Sequence, residues 1–343
     1  MVDNPIRAAR QGVLDFSSFT RGREMSSDTN ALRSWDVSSR SQLKYIASHI
    51  TKTLWPRLFW GLKARGLRRD LGEYELRVAP LLCDMRKISV DIGADRASYS
   101  VNICNHSANC IAFEPRPAQA AMIRDLAIAT GLRIEVEAVA LSNSAGLARL
   151  RILTKDPGRS TIESANALED PNRSPQTSMR VPKLRLDDYE LREVGFIKID
   201  GEGHELAVLQ GAQQTIRASL PNLLVEIEER HRAGAIGDVS AFLTYLGYEG
   251  FFILDGKVLP LAQFDKSVHQ DPANIGSWKE GWERRGVYVN NFFFLPAGSA
   301  GVLSRAVSSV NSEAPSVKRE YRCSGVPGNI PVSVISTPNG RAI

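Results

Sequence analysis

The stretch from Lys87 to Ser98 reads Lys-Ile-Ser-Val-Asp-Ile-Gly-Ala-Asp-Arg-Ala-Ser and contains the strongest fold signal in the chain. Its first half is a short apolar run, which is typical of a strand buried on both faces of a parallel sheet. Its second half begins at Gly93, where the missing Cβ lets the backbone turn sharply and approach a ligand. Ligands of open α/β sheets bind just beyond the carboxyl ends of the strands. The stretch therefore predicts a first strand followed by part of a binding site.

Strand and helix patterns alternate on the carboxyl side of this stretch. A second strand is predicted at Cys110 to Phe113, and Pro117 suits the first turn of the helix that follows. Apolar residues alternate with glutamates from Ile134 to Ala140, which indicates a third strand. Residues 141–187 break the rhythm with two extra strands around a polar loop, and the alternation then resumes as far as residue 295.

Repeated strand–helix units predict an α/β fold of the Rossmann-like, doubly wound kind. We expect a mostly parallel sheet with helices on both faces and extra strands inserted after the third strand. The chain is divided accordingly into three parts. Residues 1–70 form a basic N-terminal extension, partly disordered and with an amphipathic segment; residues 71–296 form the catalytic domain; residues 297–343 form a flexible tail.

The residues after the first two strands suggest an adenosine-containing cation as the ligand. Asp91 can pair with an ammonium group, and Glu114 can accept hydrogen bonds from two ribose hydroxyls. A nicotinamide dinucleotide would favour the pattern G-x-G-x-x-G, because its diphosphate lies against bare backbone. Here the loop has one glycine, and Asp95 would repel a diphosphate. S-adenosylmethionine, with a sulfonium and an ammonium group, fits better than the cofactor of an oxidoreductase, for which an obvious Tyr-x-x-x-Lys pair is also missing.

Taken together, the motifs resemble the FkbM family of methyltransferases over about residues 71–296. Members of that family pair D-x-G-A-N-x-G with F-E-P and a later K-I-D-x-E-G-x-E. The corresponding segments of this chain are Val90-Asp-Ile-Gly-Ala-Asp-Arg-Ala-Ser-Tyr-Ser100, Ala112-Phe-Glu-Pro-Arg-Pro117, Val139-Ala-Leu-Ser142, Leu186-Asp-Asp188, Ile197-Lys-Ile-Asp-Gly-Glu-Gly-His-Glu-Leu206, Val208-Leu-Gln-Gly-Ala212 and Val225-Glu-Ile227. The resemblance implies S-adenosylmethionine as cofactor and O-methylation of hydroxyls on sugars, glycans or polyketide-like small molecules.

The resemblance also assigns residues to the site. It places Asp91, Gly93 and Glu114 on cofactor positions, and Asp200, Glu202 and Glu205 on the later acidic motif. We add Asp95, in the loop, and Glu137, on the third strand, to the candidate cofactor residues.

Three positions depart from the family pattern. Asp95 replaces the usual Asn, Ala97 replaces the second glycine, and Gly201 replaces a small apolar residue. If position 97 needs a positive φ, alanine there costs on the order of 1 kcal/mol; if it begins a helix, alanine is harmless. These departures keep one alternative open, a degenerate methyltransferase fold that acts as a cofactor-binding or interaction module.

The catalytic candidates follow the fourth strand of the main sheet. A hydroxyl loses its proton as it attacks a methyl group, so a carboxylate or imidazole is a sensible base. We predict this role for Asp200, Glu202 or His204, although acids at a helix N-terminus also stabilise the helix dipole. Glu226, in the next strand, can face the pocket or be structural.

The remaining polar candidates carry less weight. Ser160-Thr161 can contribute to the substrate mouth or lie in an exposed loop, and the histidines at 106, 231 and 269 are interpreted as incidental. No metal site is predicted, and the four cysteines lack zinc-type spacing.

Composition restricts the partners. Residues 1–70 carry thirteen Lys or Arg against six Asp or Glu, a balance of +7 within a net charge of +5. A membrane surface or a protein could therefore contact residues 50–69. The chain after residue 70 has no basic stripe with interleaved aromatic residues, so no nucleic acid partner is expected. Neither a secretory signal nor a run of about 20 apolar residues occurs, and we predict a cytoplasmic protein.

Overall fold

A computed structural model describes residues 51–69, 72–168, 175–275 and 286–313. The strands in these ranges are β1 (Ile88–Ile92), β2 (Asn109–Phe113), β3 (Ile134–Glu137), β4 (Ala140–Leu141), β5 (Gly146–Leu153), β6 (Asp156–Thr161), β7 (Gln176–Leu184), β8 (Val194–Asp200), β9 (Asn222–Glu226), β10 (Tyr248–Leu254), β11 (Lys257–Pro260) and β12 (Asn291–Pro296). The α-helices are α1 (Pro56–Arg69), α2 (Glu75–Val78), α3 (Ser98–Ile103), α4 (Pro117–Thr130), α5 (Glu205–Gln210), α6 (Gln213–Ser219), α7 (Ala235–Tyr245), α8 (Lys266–His269) and α9 (Ala300–Glu313).

The main sheet has the strand order β11-β10-β12-β9-β8-β1-β2-β3. The five strands from β9 to β3 pair in parallel, whereas β12 is antiparallel to both of its neighbours and β11 closes a hairpin with β10. From β1 the chain proceeds outward to β3, and from β8 it proceeds in the other direction to β9. The strand order therefore reverses between β1 and β8, and the predicted doubly wound, mostly parallel fold is confirmed.

Apolar side chains are buried on both faces of this sheet. In β12, Phe292 and Phe294 pack into one cluster with α5, α6 and α7, while Phe293 and Leu295 pack into another with α1, α3, α4 and α9. Successive residues of a strand point to opposite faces, so an unbroken apolar run is what a sheet covered on both sides requires.

The insertion forms a second sheet with the order β4-β7-β5-β6. The two extra strands predicted after the third strand correspond to β5 and β7, which pair antiparallel over their whole length. Strand β6 lies in what the sequence indicated as a polar loop. Its residues, Asp-Pro-Gly-Arg-Ser-Thr, lack apolar alternation, and pairing with β5 makes them a strand.

Two terminal elements pack on the domain. In α1, Trp60 and Ala64 are buried against α3 and α4, while residues 1–50 of the predicted extension lie outside the described residues. A flexible tail was expected from residue 297, but α9 instead buries Leu303, Val307 and Val310. Their i, i+4, i+7 spacing is hidden in a serine-rich composition. Residues 314–343 lie outside the described ranges.

None of the helices in the described ranges combines the length and apolar character needed to cross a bilayer. The cysteines in these ranges, Cys83, Cys104 and Cys110, are free thiols, whereas Cys323 lies outside them.

Candidate functional site

A cavity of about 220 Å³ opens at the reversal of strand order between β1 and β8. One wall comes from the segments after β1 and β2, which we call the loop wall: Gly93, Asp95, Glu114 and Arg116. The opposite wall comes from the carboxyl ends of β8 and β9, which we call the acid wall: Asp200, Glu202, His204 and Glu226. The inserted sheet covers the cavity with Leu150, Gly158, Ser160 and Ile162.

The loop after β1 is tightly turned. Gly93 has φ 77°, and a Cβ there would lie 2.1 Å from the carbonyl oxygen of Asp200, so only glycine allows this approach. Asp95 and Ala97 also have positive φ, 42° and 67°. Position 97 is therefore in the left-handed region, where alanine costs on the order of 1 kcal/mol. The departure from the family pattern at Ala97 strains the loop.

Asp91 lies behind the loop and is buried. It accepts hydrogen bonds from the backbone N–H and the hydroxyl of Ser100, at 2.9 and 2.5 Å. Burial raises its pKa, while Ser100 and the charge of Lys198 act in the opposite direction. This placement differs from the predicted contact with a cationic ligand group, because the carboxylate binds the N-terminal turn of α3 instead of the cavity.

Glu114 lies in the loop wall, but its carboxylate already has four donors. Oε1 accepts from the backbone N and the Nε of Arg116, at 2.9 and 2.8 Å. Oε2 accepts from the backbone N of Asp95 at 2.9 Å and from Nη2 of Arg116 at 3.0 Å. A carboxylate offers about four lone-pair sites, so ribose hydroxyls must share or displace these donors.

Arg116 connects the loop wall to the insertion. Its guanidinium also donates to Oδ1 of Asp95 at 2.6 Å and to the carbonyl oxygen of Pro157 at 2.5 Å. The two carboxylates raise its pKa against the effect of burial, which keeps the cation charged. No sequence pattern indicated this role for Arg116.

Glu137 contributes through its backbone. Its carbonyl oxygen accepts the N–H of Glu114 at 3.0 Å and so extends the β2–β3 ladder. Its side chain is not among those of the described residues that line the cavity. The placement gives no support to the predicted cofactor contact of Glu137.

The acid wall holds carboxylates that repel one another. Asp200 and Glu226 are register partners in β8 and β9. Burial, and then the charge of Glu226, raises the pKa of Asp200 well above its usual range. Burial and the same neighbour also raise the pKa of Glu202 well above its usual range. Lys198 partly compensates, with Nζ 3.5 Å from Glu226 and over the ring of Tyr99.

Glu202 is held by the insertion and meets a histidine that sequence analysis interpreted as incidental. Its carbonyl oxygen accepts from Thr161 Oγ1 at 2.9 Å and from Asn166 Nδ2 at 2.7 Å. Its Oε2 lies 3.1 Å from His231 Nε2, outside hydrogen-bonding alignment. Burial lowers the pKa of His231 to about 4, so this imidazole is neutral at pH 7. A neutral His231 supplies no positive charge to the neighbouring Glu202 carboxyl.

His204 stands at the centre of a hydrogen-bonded chain. Its Nε2 lies 2.9 Å from the hydroxyl of Ser142, and its Nδ1 lies 2.9 Å from Oε2 of Glu163. Burial acts to raise the pKa of Glu163, but the backbone N–H of Ala165, followed by the hydrogen bond to His204, lowers it overall. Glu163 belongs to the insertion, and no sequence pattern identified it; Ser142 ends the Val139-Ala-Leu-Ser motif but was not proposed as a site residue.

Glu205 is structural in its contacts. It is buried at the beginning of α5, and its Oε1 accepts the N–H of Gly203 at 2.7 Å. Burial raises its pKa to about 7, although backbone hydrogen bonds oppose the shift. The side chain fixes the turn that carries Glu202 and His204 into the cavity.

The other polar candidates divide clearly. Ser160 lines the cavity, and Thr161 acts by holding Glu202. His269 accepts from the N–H of Asp265 and packs on Phe264, and His106 is exposed. Among the described residues, histidine, cysteine and carboxylate side chains form no group of three or more that could hold a metal ion.

Residues 87–249 match the sequence model of the methyltransferase FkbM domain. No curated protein sequence is significantly similar to the chain.

Several solved structures resemble the fold. A methyltransferase FkbM from Methylobacillus flagellatus KT aligns at 14% identity and a TM-score of 0.38, covering 62% of this chain and 44% of its own. An rRNA methylase from Streptococcus thermophilus aligns at 10% identity and a TM-score of 0.33, covering 64% of this chain and 91% of its own. The B. subtilis tRNA methyltransferase TrmK aligns at 13% identity and a TM-score of 0.34, covering 70% of this chain and 77% of its own. This chain thus spans less than half of the FkbM structure, and the function proposed below rests on the sequence match and the site itself.

Proposed function

Since residues 87–249 match the model of the methyltransferase FkbM domain, we propose that the protein transfers the methyl group of S-adenosylmethionine to a hydroxyl of a sugar, glycan or polyketide-like small molecule. The observation that carries this proposal is the acidic cavity at the reversal of strand order. Glu73, Asp95, Glu114, Asp200, Glu202 and Glu226 all line it, against Arg116 and His204.

The charge of the cavity suits a cationic cofactor. When bound, S-adenosylmethionine supplies a methyl group activated by a sulfonium. Carboxylates that repel one another are relieved when a cation comes near, because an opposite charge favours their ionised forms. The residues therefore fit the cofactor by charge. Glu114 would hold the ribose if its hydroxyls share the carboxylate with Arg116, or if Arg116 moves.

The acid wall supplies the proton acceptor. Asp200 is placed at the carboxyl end of β8, beside the turn at Gly93, where the acceptor hydroxyl would meet the methyl group. Its raised pKa makes the ionised carboxylate a stronger base than an ordinary aspartate. The Asp200 carboxylate would accept the proton of the acceptor hydroxyl; S-adenosylmethionine would supply the methyl group, its carbon–sulfur bond breaking as the carbon–oxygen bond forms and S-adenosylhomocysteine leaving. Glu202 and His204 shape the same wall, and Glu163 and Ser142 fix the ring of His204.

Calorimetric titration of the full chain with S-adenosylmethionine tests the cofactor without knowledge of the acceptor. We expect saturable binding of S-adenosylmethionine and S-adenosylhomocysteine, and none of NAD⁺. A screen of sugar and polyketide alcohols with methyl-labelled cofactor then tests the acceptor class. Labelling of an amine and of no hydroxyl would disprove O-methylation while keeping the methyltransferase activity.

A second candidate is a degenerate domain that acts as an interaction module. The strained φ of Ala97 and the four donors already on Glu114 favour it, since both weaken the loop wall as a cofactor site. Absence of heat with either cofactor form, from protein with a cooperative thermal transition, would favour this candidate.

A further inference from the structure

Helix α1 and the helical residues 51–54 before it present an apolar surface to solvent. Leu54, Trp55, Leu58 and Leu62 are 63%, 58%, 55% and 59% exposed. Leu54, Leu58 and Leu62 recur every four residues and therefore share one side of the helix. We call these four residues the outer face. Exposed apolar residues that cluster in this way mark interaction sites more often than isolated ones do.

The outer face is fixed to the domain from behind. Trp60 and Ala64, on the other side of α1, are buried against α3 and α4. Lys52 pairs with Asp125 at 3.5 Å and lies over the ring of Trp60, and Lys63 donates to the sulfur of Met122. These contacts fix the orientation of α1 on the domain, and the outer face therefore points to solvent.

Charge indicates what covers the outer face. Residues 51–69 contain six Lys or Arg and no Asp or Glu. Arg57, Arg65, Arg68 and Arg69 are exposed beside the leucines. An interfacial helix that binds anionic lipid has this composition, with large apolar residues including tryptophan inserted below the headgroups and bases around them. A face of this kind on an interface between two copies would bring like charges together.

We propose that the outer face docks the protein on an anionic lipid bilayer. The leucines and Trp55 enter the headgroup region, and the surrounding arginines contact lipid phosphates. Helix α1 packs across α3 and α4, which begin directly after the two segments of the loop wall. Docking therefore holds the loop-wall side of the domain near the lipid surface, within reach of acceptors carried there.

Sedimentation of the full chain with vesicles tests this proposal. We expect binding to phosphatidylcholine vesicles containing about 30 mol% phosphatidylglycerol, little binding to pure phosphatidylcholine, and release by about 0.5 M NaCl. The double variant Leu58→Ser with Leu62→Ser should weaken binding by at least about tenfold. The matched control is Ile128→Ser with Leu147→Ser, which changes two leucine-sized residues, 83% and 62% exposed, outside the outer face. It should bind like the wild type.

Three results would overturn the proposal. The full chain could fail to bind anionic vesicles, as it would if residues 1–50 covered the outer face. The double variant and the control could lose binding equally, which would mean that the leucines have no special role. Light scattering could show a wild-type dimer that the double variant converts to a monomer with vesicle binding unchanged, which would assign the face to a second copy.

Discussion

The two walls of the cavity hold carboxylates in opposite electrostatic conditions. In the loop wall, Glu114 and Asp95 share Arg116, and backbone N–H groups complete the set of donors. In the acid wall, Asp200, Glu202 and Glu226 face one another with Lys198 as partial compensation, and their pKa values are raised. One wall is satisfied without a ligand, whereas the other gains from a cation or a proton. The contrast suggests that the loop wall positions the cofactor and that the acid wall accepts the proton of the acceptor hydroxyl.

The largest expected effect tests the acid wall as the reactive one. Asp200→Asn keeps the shape of the side chain but removes the proton acceptor. Turnover should fall by roughly 10²–10⁴, with the dissociation constant of S-adenosylmethionine little changed. Steady-state kinetics with an identified acceptor, together with calorimetry, provide both numbers.

The control for Asp200→Asn is Asp84→Asn, at a partly exposed acid outside the cavity lining, and it should keep full turnover. Full turnover by a stable Asp200→Asn protein would remove this residue from the mechanism and direct attention to Glu202 or His204.

The next effect is the pH dependence of the unfolding free energy caused by Glu205, which lies beneath the acid wall. Because the folded-state pKa of Glu205 is raised to about 7, the folded protein binds a proton that the unfolded chain releases. Its contribution to stability is therefore present at low pH and is lost as pH rises from about 4.5 through about 7. Between pH 5 and 8, the wild type should lose roughly 2–3 kcal/mol more unfolding free energy than Glu205→Gln. Urea unfolding at both pH values measures the difference; parallel pH dependence of the two proteins would contradict a shifted Glu205.

A smaller effect is expected in the loop wall. Glu114→Gln should weaken S-adenosylmethionine binding by about 1–3 kcal/mol, because a hydrogen bond to a charged acceptor is lost. The variant should also lower the melting temperature, since Arg116 loses a buried partner. The matched control is Glu135→Gln, which changes an exposed acid of the neighbouring strand that accepts a hydrogen bond from the half-buried Asn109 amide. Unchanged affinity in calorimetry would mean that Arg116 keeps Glu114 away from the cofactor.

The smallest effect measures the strain in the loop. Ala97→Gly should leave the free energy of unfolding unchanged or raise it by up to about 1 kcal/mol, because glycine adopts a φ of 67° without strain. Ala94→Gly, which replaces the alanine three residues earlier, should destabilise it through added chain entropy. Denaturant melts of both variants decide the point; equal destabilisation would show that Ala97 is not strained.

Several features of the site could be predicted from the sequence. Strand ends and their following residues come from local patterns, so Gly93, Glu114, Asp200 and Glu202 were placed at one edge of the sheet before their contacts were known. Asp91 was expected to contact a cationic ligand group; alternation along the strand points its side chain behind the loop, where it accepts from Ser100, and the ligand contact stays a prediction. His231 was dismissed because nothing near it in the sequence indicates Glu202, twenty-nine residues earlier.

The contacts made by the insertion also could not be predicted from local sequence patterns. Glu163 reaches His204 and Pro157 reaches Arg116 only because β6 folds back over the cavity. Strand β6 itself lacks a periodic signal and depends on pairing with β5.

Local sequence patterns were sufficient to predict the parallel strands of the main sheet, the sharp turn at Gly93 and the identity of the acids at the strand ends. These depend on apolar periodicity and on residue chemistry within a few positions. Long-range contacts explain the rest: Arg116 neutralises the loop wall, the carboxylates of the acid wall repel one another, and α9 covers the sheet. Such partners lie far apart in the chain, and the free energy of a buried charge depends on the groups that folding brings within a few ångströms of it.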